Sequence, residues 1–290
     1  MIRIGVAGWD YPDWRGAVYP RGEKRNFDRL EYISRYVDAV EINSSFYRPV
    51  SPRVAESWVK RTAGKEGFRF TAKSHRSWTH DAEPDLGRQV DLTLQGLEPL
   101  RQAGVLGALL VQFPHSFHFQ KRSQQRIDNL LDLAGEWPLV IEVRHSSWED
   151  ELAADWFARR GAGWCVVDQP LIGDSTARAT PRVNGAIGYL RLHGRNRKEW
   201  FRPDAGRDAR YDYLYSAGEL DELAGAARTM DEKAEELFVI QNNHFRGQAL
   251  VNALQMMRLL QNRPPAAPEE LIMTYPELEG SVTVKRARLF

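Results

Sequence analysis

The sequence predicts an α/β protein that folds as a single TIM-type (β/α)8 barrel. Short β-rich runs alternate with amphipathic segments along the chain, which is the pattern expected of βα units and a parallel sheet. Eight such runs occur within about 240 residues, the usual size of a closed barrel of this type. The 290-residue chain shows no linker before its C-terminal end.

The predicted strands can be placed one by one. They begin near Ile2, Ala39, Phe68, Leu106, Leu139, Gly163, Ile187 and Glu236. Amphipathic segments between and after them are expected at 27–36, 52–62, 86–102, 123–134, 151–159, 217–230 and 247–260. In one of these, Ile127, Leu130 and Ala134 recur at three- and four-residue spacing, which indicates a helix with one buried face.

Two connections depart from the regular pattern. The crossover between the sixth and seventh strands, 169–186, lacks a helical pattern, so we predict an irregular sixth crossover. The polar stretch after strand 7, 194–215, is longer than an ordinary connection and predicts a long loop. We expect residues 1–262 to form the barrel, and 263–290 to form a C-terminal extension that is packed on the barrel or partly disordered.

Composition narrows the class of protein. Hydrophobic residues make up 42% of the chain and charged residues 27%, which excludes a disordered composition. A net charge of +1 gives no overall field toward nucleic acid or a membrane surface. No apolar run approaches the ~20 residues that span a bilayer, and the chain enters its first strand without a signal-like segment. We therefore expect a cytoplasmic protein without membrane partners, and its oligomeric state stays open.

Polar side chains stand at nearly every strand end, where the chemistry of a parallel barrel gathers. The 7 histidines also fall at or just after strand ends, and imidazole suits proton transfer and metal ligation. We predict catalytic roles for Glu142, His193 and Glu41. The candidate ligand-binding residues are Trp9, Tyr11, Asn43, Lys73, His80, Gln112, Arg144, Arg191, Arg195, Asn242 and Asn243.

One carboxylate poses an open question. Glu142 and Arg144 alternate on one strand and so point to the same side of the sheet. Glu142 interrupts an apolar run, which indicates either an ion pair with Arg144 or Arg191, or a working base or metal ligand. The sequence favours neither interpretation.

Three classes of function remain open. The first is a hydrolase- or isomerase-type enzyme acting on an anionic, phosphorylated or sugar-like small molecule, with Lys73, Arg144, Arg191 and Arg195 as anion binders and His193 as proton carrier. The second is a nucleic-acid-binding or metal-dependent phosphodiester-cleaving barrel. The third is a non-catalytic small-ligand binder.

Nucleic-acid binding and a metal site are each suggested by particular residues. The loop 195–215 mixes basic and aromatic residues, as nucleic-acid surfaces do, although its rings could equally anchor the loop to the barrel. A metal site would draw on Glu41, Glu142, His80 and His193, but the many cations of the mouth argue against a divalent ion. No GxGxxG, P-loop or HExxH motif occurs, so no nucleotide cofactor is predicted.

Seven motifs closely resemble those of the YecE-like family, also called domain of unknown function 72. They are, in chain order, GVAGWDYPDWRGAVYP, VEINSSFYRPVS, FRFTAKSHRSWTH, LVQFPHSF, VIEVRHSSW, YLRLHGR and IQNNHFRGQALVNA. The resemblance spans almost the whole chain and implies a TIM-type barrel, but it implies no particular activity. His115 and the pair Ile240-Gln241 depart from the family's usual residues.

Overall fold

The computed structural model describes residues 1–80, 85–176, 179–200, 202, 207–262 and 264–285. Eight parallel strands close into one barrel, in which each strand pairs with the next and the eighth pairs with the first. The predicted (β/α)8 fold is thereby confirmed. The strands are β1 (Ile2–Ala7), β2 (Ala39–Ile42), β3 (Arg69–Lys73), β4 (Leu106–Gln112), β5 (Leu139–Glu142), β6 (Gly163–Asp168), β7 (Ile187–Leu192) and β8 (Glu236–Gln241).

Helices surround the barrel on its outside. Four of them begin at residues whose side chains accept a backbone N–H of the first turn, namely Asp28, Asp85, Asp150 and Ser216. Such caps satisfy donors that have no partner within the helix. The helices are α1 (Arg29–Ser34), α2 (Pro52–Thr62), α3 (Leu86–Gln102), α4 (Lys121–Ala134), α5 (Glu151–Ala158), α6 (Arg207–Arg210), α7 (Ala217–Asp231), α8 (Gln248–Gln261) and α9 (Glu269–Thr274).

The strands bury two different faces. Their outward side chains join a large apolar layer beneath the helices. Their inward side chains form a smaller cluster inside the barrel, made of Ala7, Ala39, Ala108, Leu110, Val140, Cys165, Val167, Tyr189, Phe238 and Ile240. Cys165 is 1% exposed within this cluster, so it lies in the packed core. Polar side chains of the same inward face lie closer to the carboxyl ends of the strands and form the floor of the mouth.

The irregular connections lie where the sequence predicts them. The described residues of 169–186 form no helix, and positions 177 and 178 lie outside the described residues. The long loop after β7 carries only the single turn α6 in its described part, and 201 and 203–206 lie outside it. Tyr215 is buried and its hydroxyl donates to Asp168 at 2.7 Å, so this ring anchors the loop to the barrel.

The described part of the C-terminal extension packs against the barrel. Its strands β9 (Ala266–Pro268) and β10 (Thr283–Lys285) pair in parallel. Leu271 and Leu278 are fully buried, and the Tyr275 hydroxyl donates to the Arg246 carbonyl at 3.0 Å. Residue 263 and the basic end 286–290 lie outside the described residues. Among the described helices, none has the length and apolar character needed to cross a membrane.

Candidate active site at the barrel mouth

A small cavity of about 90 Å3 opens at the carboxyl ends of the strands. Because all eight strands are parallel, their carboxyl ends meet at this one mouth and bring side chains from distant parts of the chain together. The cavity is lined by Tyr11, Asn43, Phe46, Tyr47, Lys73, Gln112, Arg191, Tyr211, Asn242 and His244.

Arg191 occupies the centre of the floor and is 2% exposed. Its Nη2 lies 2.6 Å from Glu41 Oε1, and its Nη1 lies 2.6 Å from Glu142 Oε2. Gln112 Oε1 accepts a longer hydrogen bond of 3.4 Å from Nη1. One guanidinium on β7 thus bridges two buried carboxylates from β2 and β5.

Glu142 has a second cationic partner. Arg144 Nε lies 2.8 Å and its Nη2 2.7 Å from Glu142 Oε1. Burial alone would raise the pKa of Glu142, but the charges of Arg191 and Arg144 outweigh it and hold the pKa well below its usual range. Glu142 is therefore an ionised partner of two arginines, which is the first of the two interpretations that the sequence left open. Catalytic roles for Glu142 and Glu41 stay predictions.

The lower layer of the floor completes the partners of Glu41. The Tyr189 hydroxyl donates to Glu41 Oε2 at 2.9 Å and accepts from Thr71 Oγ1 at 2.8 Å. Burial, followed by the negative charge of Glu41, raises the pKa of Tyr189 well above its usual value. The hydroxyl therefore keeps its proton and acts as a fixed donor to Glu41.

His193 is fully buried beside this network. Asn242 Nδ2 donates to its Nδ1 at 2.8 Å, so the ring proton belongs on Nε2, which lies 3.8 Å from Glu142 Oε1 and 3.3 Å from Arg144 Nη2. Burial lowers the pKa of His193 to about 3, although Glu142 acts in the opposite direction. A neutral His193 contributes no positive charge to anion binding at physiological pH.

Lys73 differs from the arginines because its amine has no carboxylate partner. Among the described residues, none forms a hydrogen bond or ion pair with Nζ, which lies 3.8 Å from the centre of the Phe46 ring. Burial, and then the positive charge of Arg191, lower the pKa of Lys73 to about 7. Its amine therefore exchanges between the charged and neutral forms near neutral pH.

Other predicted ligand-binding residues also reach the mouth. Asn43 and Asn242 line it, as does Tyr11, whose hydroxyl donates to the Ala7 carbonyl at 2.6 Å and whose ring stacks on His244 at 4.3 Å between centres. Arg144 does not line the cavity; it pairs with Glu142, which in turn pairs with Arg191 of the floor. The side chains of these residues come together as the strand-end argument predicts.

Four predicted residues lie elsewhere in the described structure. Trp9 packs edge-on against Trp58. Asn243 donates to Asn252 Oδ1 at 2.7 Å and so ties the mouth to α8. His80 contacts Phe46 edge-on at 5.2 Å and lines a neighbouring groove.

Arg195 is the fourth. Its Nη2 lies 2.7 Å from Asp168 Oδ2, and its Nη1 lies 3.2 Å from Glu219 Oε1. The charge of Arg195 is therefore compensated by carboxylates outside the cavity.

Four lining residues, namely Phe46, Tyr47, Tyr211 and His244, were not among the candidate site residues, although His244 is one of the seven strand-end histidines and Tyr211 lies in the aromatic loop 195–215. All four lie in segments that follow strands, and all four carry aromatic rings. A weight for rings in these loops, in addition to polar strand ends, would have found them.

The described residues assemble no group of three or more His, Cys, Asp and Glu side chains placed to hold a metal ion. Of the four ligands considered for a metal, Glu41 and Glu142 accept from guanidinium groups and His80 lies in the adjoining groove. These residues therefore do not fit a metal centre at the mouth.

The fold and the site together define a TIM-barrel protein whose mouth holds a buried ion-pair network and a lysine, Lys73, with no carboxylate partner among the described residues. The chain belongs to the DUF72 family, because the family's sequence profile, described as "Protein of unknown function DUF72", matches residues 3–272. This is the YecE-like family that the seven motifs predict.

Relatives of known sequence or structure match most of the chain. The UPF0759 protein YunF of Bacillus subtilis (strain 168) is 29% identical over 273 residues, which are 90% of this chain and 95% of YunF. A solved DUF72 family structure from Thermotoga maritima is 29% identical with a TM-score of 0.79, covering 90% of this chain and 99% of that one. A second, from Enterococcus faecalis, is 27% identical with a TM-score of 0.77, covering 90% and 96%.

A more distant likeness concerns the fold alone. Endonuclease IV from Thermus thermophilus is 13% identical with a TM-score of 0.51, over 90% of this chain and 100% of that one. The chain therefore shares the barrel architecture with this protein.

Proposed function

We propose that the chain is an enzyme of hydrolase or isomerase type that acts on a small anionic, phosphorylated or sugar-like molecule bound at the barrel mouth. Lys73 is the group that transfers the proton. The observation that carries the proposal is the Lys73 amine, which faces the mouth cavity without a carboxylate partner and has a pKa of about 7.

The charge balance of the mouth supports this role. Arg191 and Arg144 are matched by the carboxylates of Glu41 and Glu142. Lys73 is the cation left over, so an anion entering the cavity finds its complementary charge there. An adjacent negative charge also raises the pKa of an amine, and binding would therefore be accompanied by proton uptake at Nζ.

A lysine that titrates near neutrality is suited to general acid–base catalysis. The best proton-transfer groups have a pKa close to the working pH, because they are then present in both forms. An ordinary lysine is fully protonated at pH 7 and cannot act as a base. Desolvation and the neighbouring Arg191 remove this restriction at Lys73.

The rest of the lining matches a polar small molecule. Asn43, Gln112 and Asn242 offer amide donors and acceptors for hydroxyl or carbonyl groups, while the exposed ring of Tyr47 offers a surface for the apolar face of a sugar. At about 90 Å3, the cavity accepts a small reactive group rather than a stretch of polymer.

The experiment is an incubation of purified protein with an extract of small phosphorylated metabolites, followed by mass spectrometry. We expect the wild type to convert at least one compound, and Lys73→Met to lose that conversion. Lys60→Met, on the exposed part of α2, is the matched control and should retain it. Retention of a compound without conversion would support a non-catalytic binder and contradict the enzyme.

A further inference from the structure

Beside the mouth lies a groove of about 840 Å3 between the loop after β3 and the start of α4. Its lining includes the side chains of Lys121, Arg122 and Arg126 but no Asp or Glu among the described residues. This groove is distinct from the mouth cavity, where the guanidinium groups are paired.

The cations of the groove lack carboxylate partners. Within the described part of the chain, no ion pair involves Lys121, Arg122 or Arg126. Arg126 is held in place because its Nη2 donates to the Trp78 carbonyl at 2.9 Å and its Nε to the same carbonyl at 3.2 Å. Burial, and then the nearby charge of Arg122, lower the pKa of Arg126. Three positive charges thus face one groove whose described lining carries no carboxylate.

The backbone of α4 adds to this field. The helix begins at Gln120 with no side-chain cap, and its first turn contains no acidic residue. The positive end of a helix dipole favours an anion and disfavours cations, yet Lys121 and Arg122 occupy the first two positions. An anion at this end would satisfy both the free N–H groups and the side chains.

A buried hydroxyl provides a separate indication of a ligand. Ser123 lines the groove and is 3% exposed. Its Oγ makes no hydrogen bond with the described residues. Ser123 is the one nearly buried serine of the groove lining, and a phosphate oxygen in the groove would accept a hydrogen bond from its hydroxyl.

We propose that this groove is a binding site for the phosphate group of a small phosphorylated molecule, held by Lys121, Arg122, Arg126, Ser123 and the start of α4. The half-buried Phe117, whose ring stacks on Phe113 and Trp148, gives this polar groove an apolar edge beside the phosphate position. Arginine forks and free N–H groups match the oxygens of a tetrahedral anion.

The groove also adjoins the mouth. His80 lines the groove and packs edge-on against Phe46, and Lys73 of the mouth lies over the same ring. A molecule with its phosphate in the groove therefore extends toward the Lys73 amine. This last step rests on the proposed function, whereas phosphate binding in the groove does not.

The test measures how bound anions protect individual lysines from acetylation, read by peptide mass spectrometry of the full chain. With inorganic phosphate and with glucose 6-phosphate, we expect Lys121 to be protected and the exposed Lys60 to react unchanged. In Arg122→Gln the concentration needed for protection should rise at least about tenfold, and in Ser123→Ala about five- to tenfold. Lys60→Gln should leave protection of Lys121 unchanged.

The outcomes separate the two proposals. Protection of Lys121 without protection of Lys73 supports the groove site and contradicts anion binding at the mouth; the reverse result overturns the groove site alone. Equal protection of Lys60 would show non-specific screening and overturn the inference. So would protection of Lys121 by a single-stranded oligonucleotide but not by phosphate or glucose 6-phosphate.

Discussion

Arg191 and Glu41 are 150 residues apart in the chain, and their side chains meet at 2.6 Å inside the barrel. Both are almost completely buried, with side-chain exposures of 2% and 0%. The charge of Arg191 is therefore compensated by carboxylates of the protein itself. The mouth therefore differs from a simple anion trap, in which arginines wait without partners for the ligand.

Replacement of Glu142 by glutamine tests the stability of this network. The substitution removes one buried charge and leaves Arg144 and Arg191 with less compensation, so Glu142→Gln should lower the free energy of unfolding by about 3–5 kcal/mol. Denaturant melting measures the change. The exposed pair of Glu31 and Arg35 provides the control, since Glu31→Gln should change stability by about 0.5 kcal/mol or less. A similar small loss for Glu142→Gln would show that the ion pairs do not hold the floor.

Lys73 should have the opposite effect on stability. The folded amine has a pKa of about 7 compared with 10.5 for an unperturbed lysine. Below about pH 7 the folded protein carries a charge that burial disfavours, so Lys73→Met should stabilise it, on the order of 2 kcal/mol. Since the unfolded chain holds the proton more tightly, wild-type stability rises between pH 7 and 10.5 and the gain of the variant shrinks. Melting at pH 6 and pH 9 checks this, with Lys60→Met as control; a destabilised Lys73→Met would contradict it.

The reactivity of Lys73 should report the same pKa directly. Only the neutral amine reacts with an acetylating reagent, so its rate should rise as the pH passes through about 7 and then level off. A lysine in a short unstructured peptide, with a pKa near 10.4, should keep gaining reactivity over that range. Peptide mass spectrometry after brief labelling follows both. A Lys73 profile that coincides with the peptide's would remove the basis for its role in proton transfer.

His193 should stay neutral in the folded protein and titrate only on unfolding. Its pKa is about 3 when folded and about 6.5 in an unfolded chain. Its contribution to stability is thus present above pH 6.5 and is lost as the pH falls toward 3, by about 1.4 kcal/mol per pH unit at most. Denaturant unfolding of the wild type and His193→Gln should show this difference. An imidazole NMR signal of His193 that titrates near pH 6.5 without denaturant would disprove the assignment.

The sequence predicted the site mainly through the geometry of parallel strands. Glu41, Lys73 and Gln112 come together because each lies at or one residue before the end of a strand, and strand ends are visible in the pattern of apolar runs. The alternation of Glu142 with Arg144 likewise predicted that the two would lie on one side; β5 ends at Glu142, and Arg144, just beyond it, still turns back to pair with Glu142.

The pattern of apolar runs and strand ends does not give the distances between side chains on opposite sides of the barrel. Strand order alone does not show whether Arg191 meets a carboxylate or an empty cavity, and so its use in the network was open. The pKa of His193 depends on complete burial, which depends on loops of irregular length. Arg195 lies just after a strand like the others, but the chain turns there, so its side chain meets Asp168 outside the mouth.

The ion pairs that Arg191 makes with residues of β2 and β5 have a further consequence for how the ligand of such a protein can change in evolution. These ion pairs connect three strands inside the barrel. They do not involve the side chains of the rim, where Tyr47 is 62% exposed. The loops of the rim can therefore change in sequence while the floor stays the same. Proteins that share this floor but bind different ligands should therefore differ mainly in the loops that follow the strands. The ion pairs of Arg191 should be the same in all of them.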